Sequence, residues 1–309
     1  MTASLRRVVA RLPAEPGVYR FRDGRGRTLY IGRATQLRSR VSSYWSDLRD
    51  RRHLAPMVAS IDRIEALVCD SVHEAAWLER NVLEASMPRW NRTAGGQEVP
   101  VCIRMDVGPR SPGLRVVHSD RFGDTARMFG PYLGGLQVRL AVAALHRVLP
   151  LAYSGTGLRG AEVDMARLRG IDPTDRGRLI DQVAAALQRD PATVAWLRAE
   201  LEASRNRASD ALAFEMAARI DSEMKAFAWI TSTQRVTVLA DADCTAYGWG
   251  DGILTRYNIR AGRLSGWSQR ACAPRRAETY IAQTPDEWTV FAERNAKLAA
   301  TLAAAAASA

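Results

Sequence analysis

Tyr19, Tyr30, Arg40 and Tyr44 fall within residues 16–45, PGVYRFRDGRGRTLYIGRATQLRSRVSSYW. Phenols and guanidiniums at close quarters can bind a phosphate, and a phenol can also take a proton from water. The elements that must position them are legible. The β-type runs Val18–Phe21 and Arg27–Ile31 flank Asp23-Gly24-Arg25-Gly26, which predicts a hairpin. Closed symmetrically, Phe21 faces Thr28 and Tyr19 faces Tyr30, so two phenols project side by side. Gly32 breaks the second strand. Leu37, Val41 and Tyr44 then recur at i, i+4, i+7 and predict a helix, with Arg40 beside them. Two tyrosines and one or two arginines thus converge on a patch able to polarise a phosphate. Tyrosine hairpins are common, however, and geometry alone leaves a purely structural hairpin open.

A carboxylate adds to this set. Ile64, Ala66 and Val68 alternate within Ile61–Cys69, a helix end or a strand. Ser71 is placed to cap a helix from Val72 to about Met87, with Glu74 at the capping-box position. The apolar stripe of that helix includes Val72, Ala75, Ala76, Val82 and Leu83, and Glu79 falls inside it. A carboxylate on a buried face is costly unless paired or bound to a metal. The plainer alternative is a glutamate at the stripe's edge, paired with Arg80 or Arg38.

The 309-residue chain is long enough for two or three domains. Its net charge is +11, carried almost wholly by arginine, since Lys225 and Lys297 are the only lysines. Residues 1–52 hold thirteen arginines against Glu15, Asp23, Asp47 and Asp50. A basic module of this kind fits a polyanion such as nucleic acid; solvated positive surface is the alternative. Cys69, Cys102, Cys244 and Cys272 are widely spaced without a CxxC pair, and the four histidines are scattered. Zinc and iron–sulfur spacings are therefore absent. Reduced thiols, no signal peptide and no transmembrane stretch predict a soluble, cytoplasmic protein.

Gly17-Val18-Tyr19, then Tyr30-Ile31-Gly32, with Arg40 and Tyr44 downstream, resembles the signature of the GIY-YIG nucleases. Leu12-Pro13, Pro16 and the helix text SVHEAAWLERNVLEASMPRWN resemble the UvrC branch of that family. The resemblance implies a small antiparallel sheet flanked by helices over 12–95. It implies one Mg²⁺ or Mn²⁺ ion on Glu79, and catalytic or supporting roles for Tyr19, Tyr30, Arg33, Arg40, Tyr44 and Asn91. Tyr30 is the first choice of general base and Tyr19 the second. An ordinary phenol pKa of about 10 is too high for an efficient base, so neighbouring positive charge must lower it. Arg33 departs from the family's lysine, and the planar fork is not equivalent to an ammonium.

Downstream, Val99–Met105 and Leu114–His118 read as strands around a Pro109–Gly113 turn. Phe129-Gly130-Pro131-Tyr132 and the helix Leu136–Val148 carry the resemblance on. Where the family opens a four-cysteine segment, this chain has Ala152–Gly157, and no iron–sulfur cluster is expected. Leu179, Val183 and Leu187 mark a helix ended by Asp190-Pro191. A helical hairpin at about 192–228 resembles the UVR motif, with Leu212, Phe214, Glu215, Ala217 and Ala218 as its partner-binding core. Phe214, Ala217, Ala218 and Met224 fit a packing seam; Leu212, Glu215, Arg219 and Glu223 fit solvent or interface positions. Asp221-Ser222 replaces the family's Arg-Asp, and a generic helical hairpin is the alternative. Val236-Val238, Ile253–Ile259 and a run from Arg263 read as strands, and a helix from Asp286 ends in an alanine tract, Ala303–Ala307, expected to fray.

The fold expected is α/β. The domains are a catalytic domain at 12–95, a connector at 96–172, a helical region with the hairpin at 173–232, and a small β-containing region at 233–309. The text has no room for the family's RNase H-like or helix–hairpin–helix domains, so it resembles the N-terminal half of UvrC or a Cho-like homologue. The resemblance implies a nuclease of nucleotide excision repair that cuts lesion-bearing double-stranded DNA on the 3′ side, with a UvrB-like helicase as partner. A catalytically weak DNA-binding adaptor docking on that helicase is the alternative. A nuclease of mobile DNA or phage defence fits the hairpin less well.

Overall fold

The computed structural model describes residues 1–46, 49–92, 99–111, 113–118, 126–239 and 243–308. In chain order the first elements are α1 (Ala3–Arg11), β1 (Gly17–Arg22), β2 (Thr28–Ala34), α2 (Leu37–Ser46), α3 (Ala55–Ala59), β3 (Arg63–Val68) and α4 (Val72–Ala85). Next come β4 (Pro100–Asp106), β5 (Leu114–Val117), β6 (Ala126–Leu133), α5 (Gly135–Val148), α6 (Ala161–Leu168), α7 (Arg176–Leu187), α8 (Pro191–Asp210) and α9 (Phe214–Ile230). The last are β7 (Cys244–Gly250), β8 (Ile253–Arg260), β9 (Arg263–Ala271), α10 (Pro274–Ile281) and α11 (Asp286–Ala307). The fold is mixed α/β. Residues 1–97 and 234–309 form one compact unit, and 98–233 form the other. The boundary expected at residue 95 lies outside the described residues, as does Pro112 of the expected turn.

The first unit is built on an antiparallel sheet of order β2-β1-β3. Central β1 is apolar where it must be, with Val18, Tyr19 and Phe21 fully buried. Its register with β2 corrects the symmetrical hairpin: Phe21 pairs with Tyr30 and Tyr19 with Gly32, through an irregularity at Phe21/Arg22. Asp23 causes the offset. Its Oδ1 accepts from the backbone N–H groups of Arg25 at 3.0 Å and Arg27 at 2.8 Å, which closes the turn on itself and leaves Arg27 out of the ladder.

Both edges of the sheet are closed by asparagine amides. Asn91 accepts from the Ile31 N–H (3.0 Å) and donates to the Ile31 carbonyl (2.8 Å) on β2. Asn295 of α11 does the same for Val68 on β3, at 2.6 and 3.1 Å. A side-chain amide offers the donor–acceptor pair of a missing strand, which blunts an otherwise sticky edge.

Ser71 caps α4 as expected, accepting from the Glu74 N–H at 2.9 Å. Val72, expected in the apolar stripe, is exposed; Trp77 and Leu78 are buried in its stead. Glu74 does more than cap. It is fully buried and accepts from the N–H groups of Asp70 (2.7 Å), Arg235 (2.7 Å) and Val236 (3.3 Å), tying residues 235–236 to α4.

Residues 244–271 form a second antiparallel sheet, β7-β8-β9. Of the expected strand Val236-Val238, only Thr237 pairs, as a single bridge to Arg263. On β9, Trp267 stacks under the Arg20 guanidinium, 3.9 Å from the ring centroid, and its carbonyl accepts from Arg20 at 3.0 Å. Arg20 is in turn ion-paired to buried Glu65. Burial pushes the Glu65 pKa up, but Arg20 and Arg22 outweigh it and leave the carboxyl below its ordinary value.

The alanine tract does not fray: α11 continues to Ala307, with Leu302 buried. Ser4 and Arg7 of α1 donate to the carbonyls of Ala306 (3.0 Å) and Ala305 (3.1 Å). Alanine keeps the two helices close enough for such bonds.

The second unit packs α5, α7, α8 and α9 against a sheet of order β5-β4-β6, around Ile103, Leu145, Val183 and Phe227. Where cysteines would stand in the resembled family, a guanidinium organises the backbone. Buried Arg176 donates to the carbonyls of Leu151, Ser154 and Ser111, each at 3.0 Å, and to that of Asp106 at 3.4 Å.

The helical hairpin is α8–α9, and its packing differs from expectation. Phe214 is exposed and Ala218 too, whereas Glu223, expected at the surface, is 1% exposed. Met224 packs against the core as expected, but the buried seam is Ile220, Ala226, Phe227 and Ile230, and Glu223 joins it because Arg147 of α5 neutralises the carboxylate through two bonds of 2.7 and 2.9 Å. Leu212 sits in the turn at φ 58° and is exposed. Among the described residues, no helix is long and apolar enough to cross a membrane.

Candidate active site

A cleft of about 430 Å³ opens on the β2 side of the first sheet, lined by Tyr19, Tyr30, Gly32, Arg33, Arg40 and Glu79 among others. Alternation on β1 and β2 sends Tyr19 and Tyr30 to one face. The offset register makes them diagonal neighbours, with ring centroids 6.3 Å apart. Helix α2 supplies the rest: buried Tyr44 shares a 2.7 Å hydrogen bond with the Tyr19 hydroxyl, and the Arg40 guanidinium lies 5.7 Å from the Tyr44 ring centroid. Phe21 seals the cluster from below, 5.1 Å from Tyr44.

Gly32 is a requirement of this geometry. A Cβ there would come within 2.8 Å of Tyr30 Cε1 and closer still to the Tyr19 hydroxyl. Gly32→Ala is expected to splay the two phenols, costing roughly 1–3 kcal/mol of stability. A displacement near 1 Å at a reacting group costs about 10²-fold in rate. Thermal melts beside an activity assay measure the two effects.

Glu79 reaches the cleft from α4. Its carboxylate accepts the Arg33 backbone N–H at 3.1 Å and lies 3.5 Å from Arg33 Nε. The partner is thus Arg33, rather than Arg80 or Arg38; Arg80 bonds Glu84 at 2.7 Å, and Arg38 Nε donates to the Leu12 carbonyl at 2.6 Å. Burial raises the Glu79 pKa, opposed by Arg33 and Arg40. Burial also raises Tyr19 well above its ordinary value, helped by Tyr44 and Tyr30. Tyr30, expected to be lowered by neighbouring positive charge, is instead pushed up, by burial first and then by Tyr44 and Glu79, because Arg40 alone does not offset them.

Asn91 does not line the cleft but clamps β2 from outside at Ile31, which fixes the strand carrying Tyr30. Thr35 and Val72, absent from the sequence reading of the site, complete its rim; no pattern in the sequence singled them out.

No group of three or more His, Cys, Asp or Glu could hold an ion among the described residues. A single half-shielded carboxylate beside open space does fit a hard divalent ion. Mg²⁺ commonly keeps several waters and takes only one or two protein carboxylates.

Residues 15–92 match the family model described as the UvrC-like GIY-YIG domain. They are a GIY-YIG domain of the UvrC-like kind. The UvrABC system protein C of Mycobacterium marinum is 31% identical over 285 residues, covering 85% of this chain and 43% of that protein. Its counterpart in Mycobacterium tuberculosis matches with the same figures. The chain therefore spans less than half the length of these relatives. Among solved structures, the GIY-YIG N-terminal endonuclease domain of UvrC from Thermotoga maritima, bound to magnesium as its catalytic divalent cation, is 31% identical. It covers 30% of this chain and all of that one, with a TM-score of 0.27. In this chain the GIY-YIG domain carries its two tyrosines, Arg40 and Glu79 on one cleft.

Proposed function

We propose that the GIY-YIG domain hydrolyses a DNA phosphodiester bond, cutting damaged duplex on the 3′ side of a lesion in nucleotide excision repair. The observation that carries this reading is the convergence of Tyr30, Tyr19, Arg40 and Glu79 on one cleft. Glu79 would hold a single Mg²⁺ or Mn²⁺, and such an ion polarises phosphate and stabilises a leaving oxyanion. The chain's own groups do the remainder. Arg40 donates to the non-bridging oxygens as negative charge builds on them. A water attacks phosphorus in line with the departing oxygen and passes its proton to the Tyr30 phenolate. Tyr19, locked to Tyr44, holds the aromatic wall in place; Asn91 keeps β2 rigid beneath Tyr30.

A raised phenol pKa means that Tyr30 is protonated at neutral pH and gains its basic form only as pH climbs. The cleavage rate is therefore expected to increase about tenfold per unit across the mildly alkaline range. Tyr30→Phe should lower the rate about 10²- to 10⁴-fold and flatten that slope. A pH–rate profile on both proteins tests it.

The exposed Leu212 and Phe214 at the hairpin tip, with Glu215, Ala217 and Ala218, support docking on a UvrB-like helicase in the cytoplasm. The deciding experiment incubates the protein with lesion-bearing duplex and Mg²⁺ or Mn²⁺, with and without a UvrB-type protein. A 3′ cut supports the reading. Binding to DNA and helicase without a cut under either metal supports the second reading, a weakly catalytic adaptor, which the Arg33–Glu79 contact favours because the guanidinium competes for the carboxylate.

A further inference from the structure

The second sheet of the first unit has two unlike faces. On β7, Ala246, Gly248 and Gly250 are buried, and a Cβ on Gly248 would strike the Ala292 backbone of α11. Alternation therefore sends Tyr247 and Trp249 to the opposite face. Cross-strand pairing sets Arg256 between Tyr247 and Ser268, and Leu254 between Trp249 and Arg270. Helix α10 lies over this face, with Leu254, Cys272 and Ala277 buried together and Tyr247, Trp249 and Tyr280 packed partly buried around them. Arg256, Arg270 and Arg276 stay exposed.

These guanidiniums are unneutralised. No ion pair joins any of the three to a carboxylate among the described residues, and α10 carries a single acid, Glu278. Arg270 lies 4.9 Å from the Tyr280 ring centroid. The positive charges of Arg270 and Arg276, which come from different elements, together hold the Tyr280 pKa below the ordinary phenol value, Arg270 more strongly. Two exposed cations gathered beside one phenol, with no carboxylate paired to either among the described residues, leave room for a stronger acceptor. Phosphate matches it, because the guanidinium fork takes two of its oxygens at once. Half-buried Tyr247, 5.1 Å from Tyr280, and Trp249 flank the arginines. A duplex would leave these rings idle, whereas unpaired bases stack on such rings.

We propose that this outer face of β7–β9 and α10 is a second nucleic-acid site that binds a single DNA strand. Arg256, Arg270 and Arg276 take its phosphates, and Tyr247 and Trp249 meet its bases. The site stands independently of the cleavage chemistry assigned to the GIY-YIG cleft.

The test uses the full chain in EDTA, with a fluorescein-labelled single-stranded oligonucleotide and the matching duplex, by anisotropy over a range of salt. Arg256→Gln with Arg270→Gln should weaken single-strand binding at least about tenfold. With two phosphate contacts gone, the slope of log affinity against log salt should shrink by about 1.4. Tyr247→Ala should weaken binding with little change in slope, and Ser268→Glu should mimic the arginine loss with the thermal melt unchanged. Glu79→Gln should bind the single strand as the parent does, so a protein that cuts nothing still reports on this face. Unchanged affinity and slope in well-folded variants would overturn the proposal. So would an equal loss on duplex, or a loss confined to anionic phosphatidylserine vesicles.

Discussion

Glu79→Gln is expected to remove metal-dependent cleavage, by about 10³-fold or more, without destabilising the protein. The rate follows from the loss of the cleft's carboxylate. About 4 kcal/mol of electrophilic stabilisation corresponds to three powers of ten. Stability follows from the direction of its pKa. Burial raises it, so the folded chain holds a proton on Glu79 more tightly than the unfolded chain does. The stability this contributes is complete below the ordinary carboxylate range and is lost as pH rises through the folded value. At neutral pH the ionised side chain is a cost, which glutamine relieves while its oxygen still accepts the Arg33 N–H. Melts in metal-free buffer should show the variant equal to the parent at acid pH and no less stable at pH 8. A Mn²⁺ titration should show weakened binding. A large loss of stability would mean that the Arg33–Glu79 contact is structural.

The second large effect is expected at Arg176. Truncation to alanine removes the 3.0 Å donor from the carbonyls of Leu151, Ser154 and Ser111; Leu151 keeps the Ser154 hydroxyl at 2.8 Å, so those of Ser154 and Ser111 are the ones left bare. Each buried acceptor left bare costs about 1–3 kcal/mol; with partial relaxation the sum is roughly 3 kcal/mol. The melting temperature of the second unit should fall by roughly 10 °C. Hydrogen exchange should quicken first around residues 106–111 and 151–155. Arg176→Lys should recover only part of the loss, because an ammonium cannot span acceptors arrayed around a planar fork.

Much of the site was legible because its residues lie close in sequence. The hairpin, α2 and the cap of α4 obey local rules, and those rules bring Tyr19, Tyr30, Arg40, Tyr44 and Glu79 near one another. The register was not, since it depends on how Asp23 turns its carboxylate onto Arg25 and Arg27. Strand β7 escaped notice for a physical reason as well: Gly248 and Gly250 interrupt its alternation, yet they are what lets α11 approach its backbone. The alanine tract read as low complexity because close helix contact needs small side chains and leaves no apolar period. Glu223 misled in the opposite way, since its partner Arg147 lies far off in sequence and no spacing announces the pair. The arrest of both sheet edges by Asn91 and Asn295 was equally silent, because an asparagine's partner is invisible to periodicity.

The unit that houses the GIY-YIG domain is split in the chain: residues 234–309 complete what 1–97 begin. On a ribosome the N-terminus emerges first. Tyr30, Arg40 and Glu79 are all translated early, but Asn295 cannot reach Val68, nor Trp267 reach Arg20, until roughly 200 further residues have been made. The order of synthesis thus delays completion of the unit that holds the cleft. A truncated product that stops within residues 98–233 would carry every cleft residue yet lack the edge cover and the buried anchor. Nascent and prematurely ended chains are thereby the least braced carriers of this cleft.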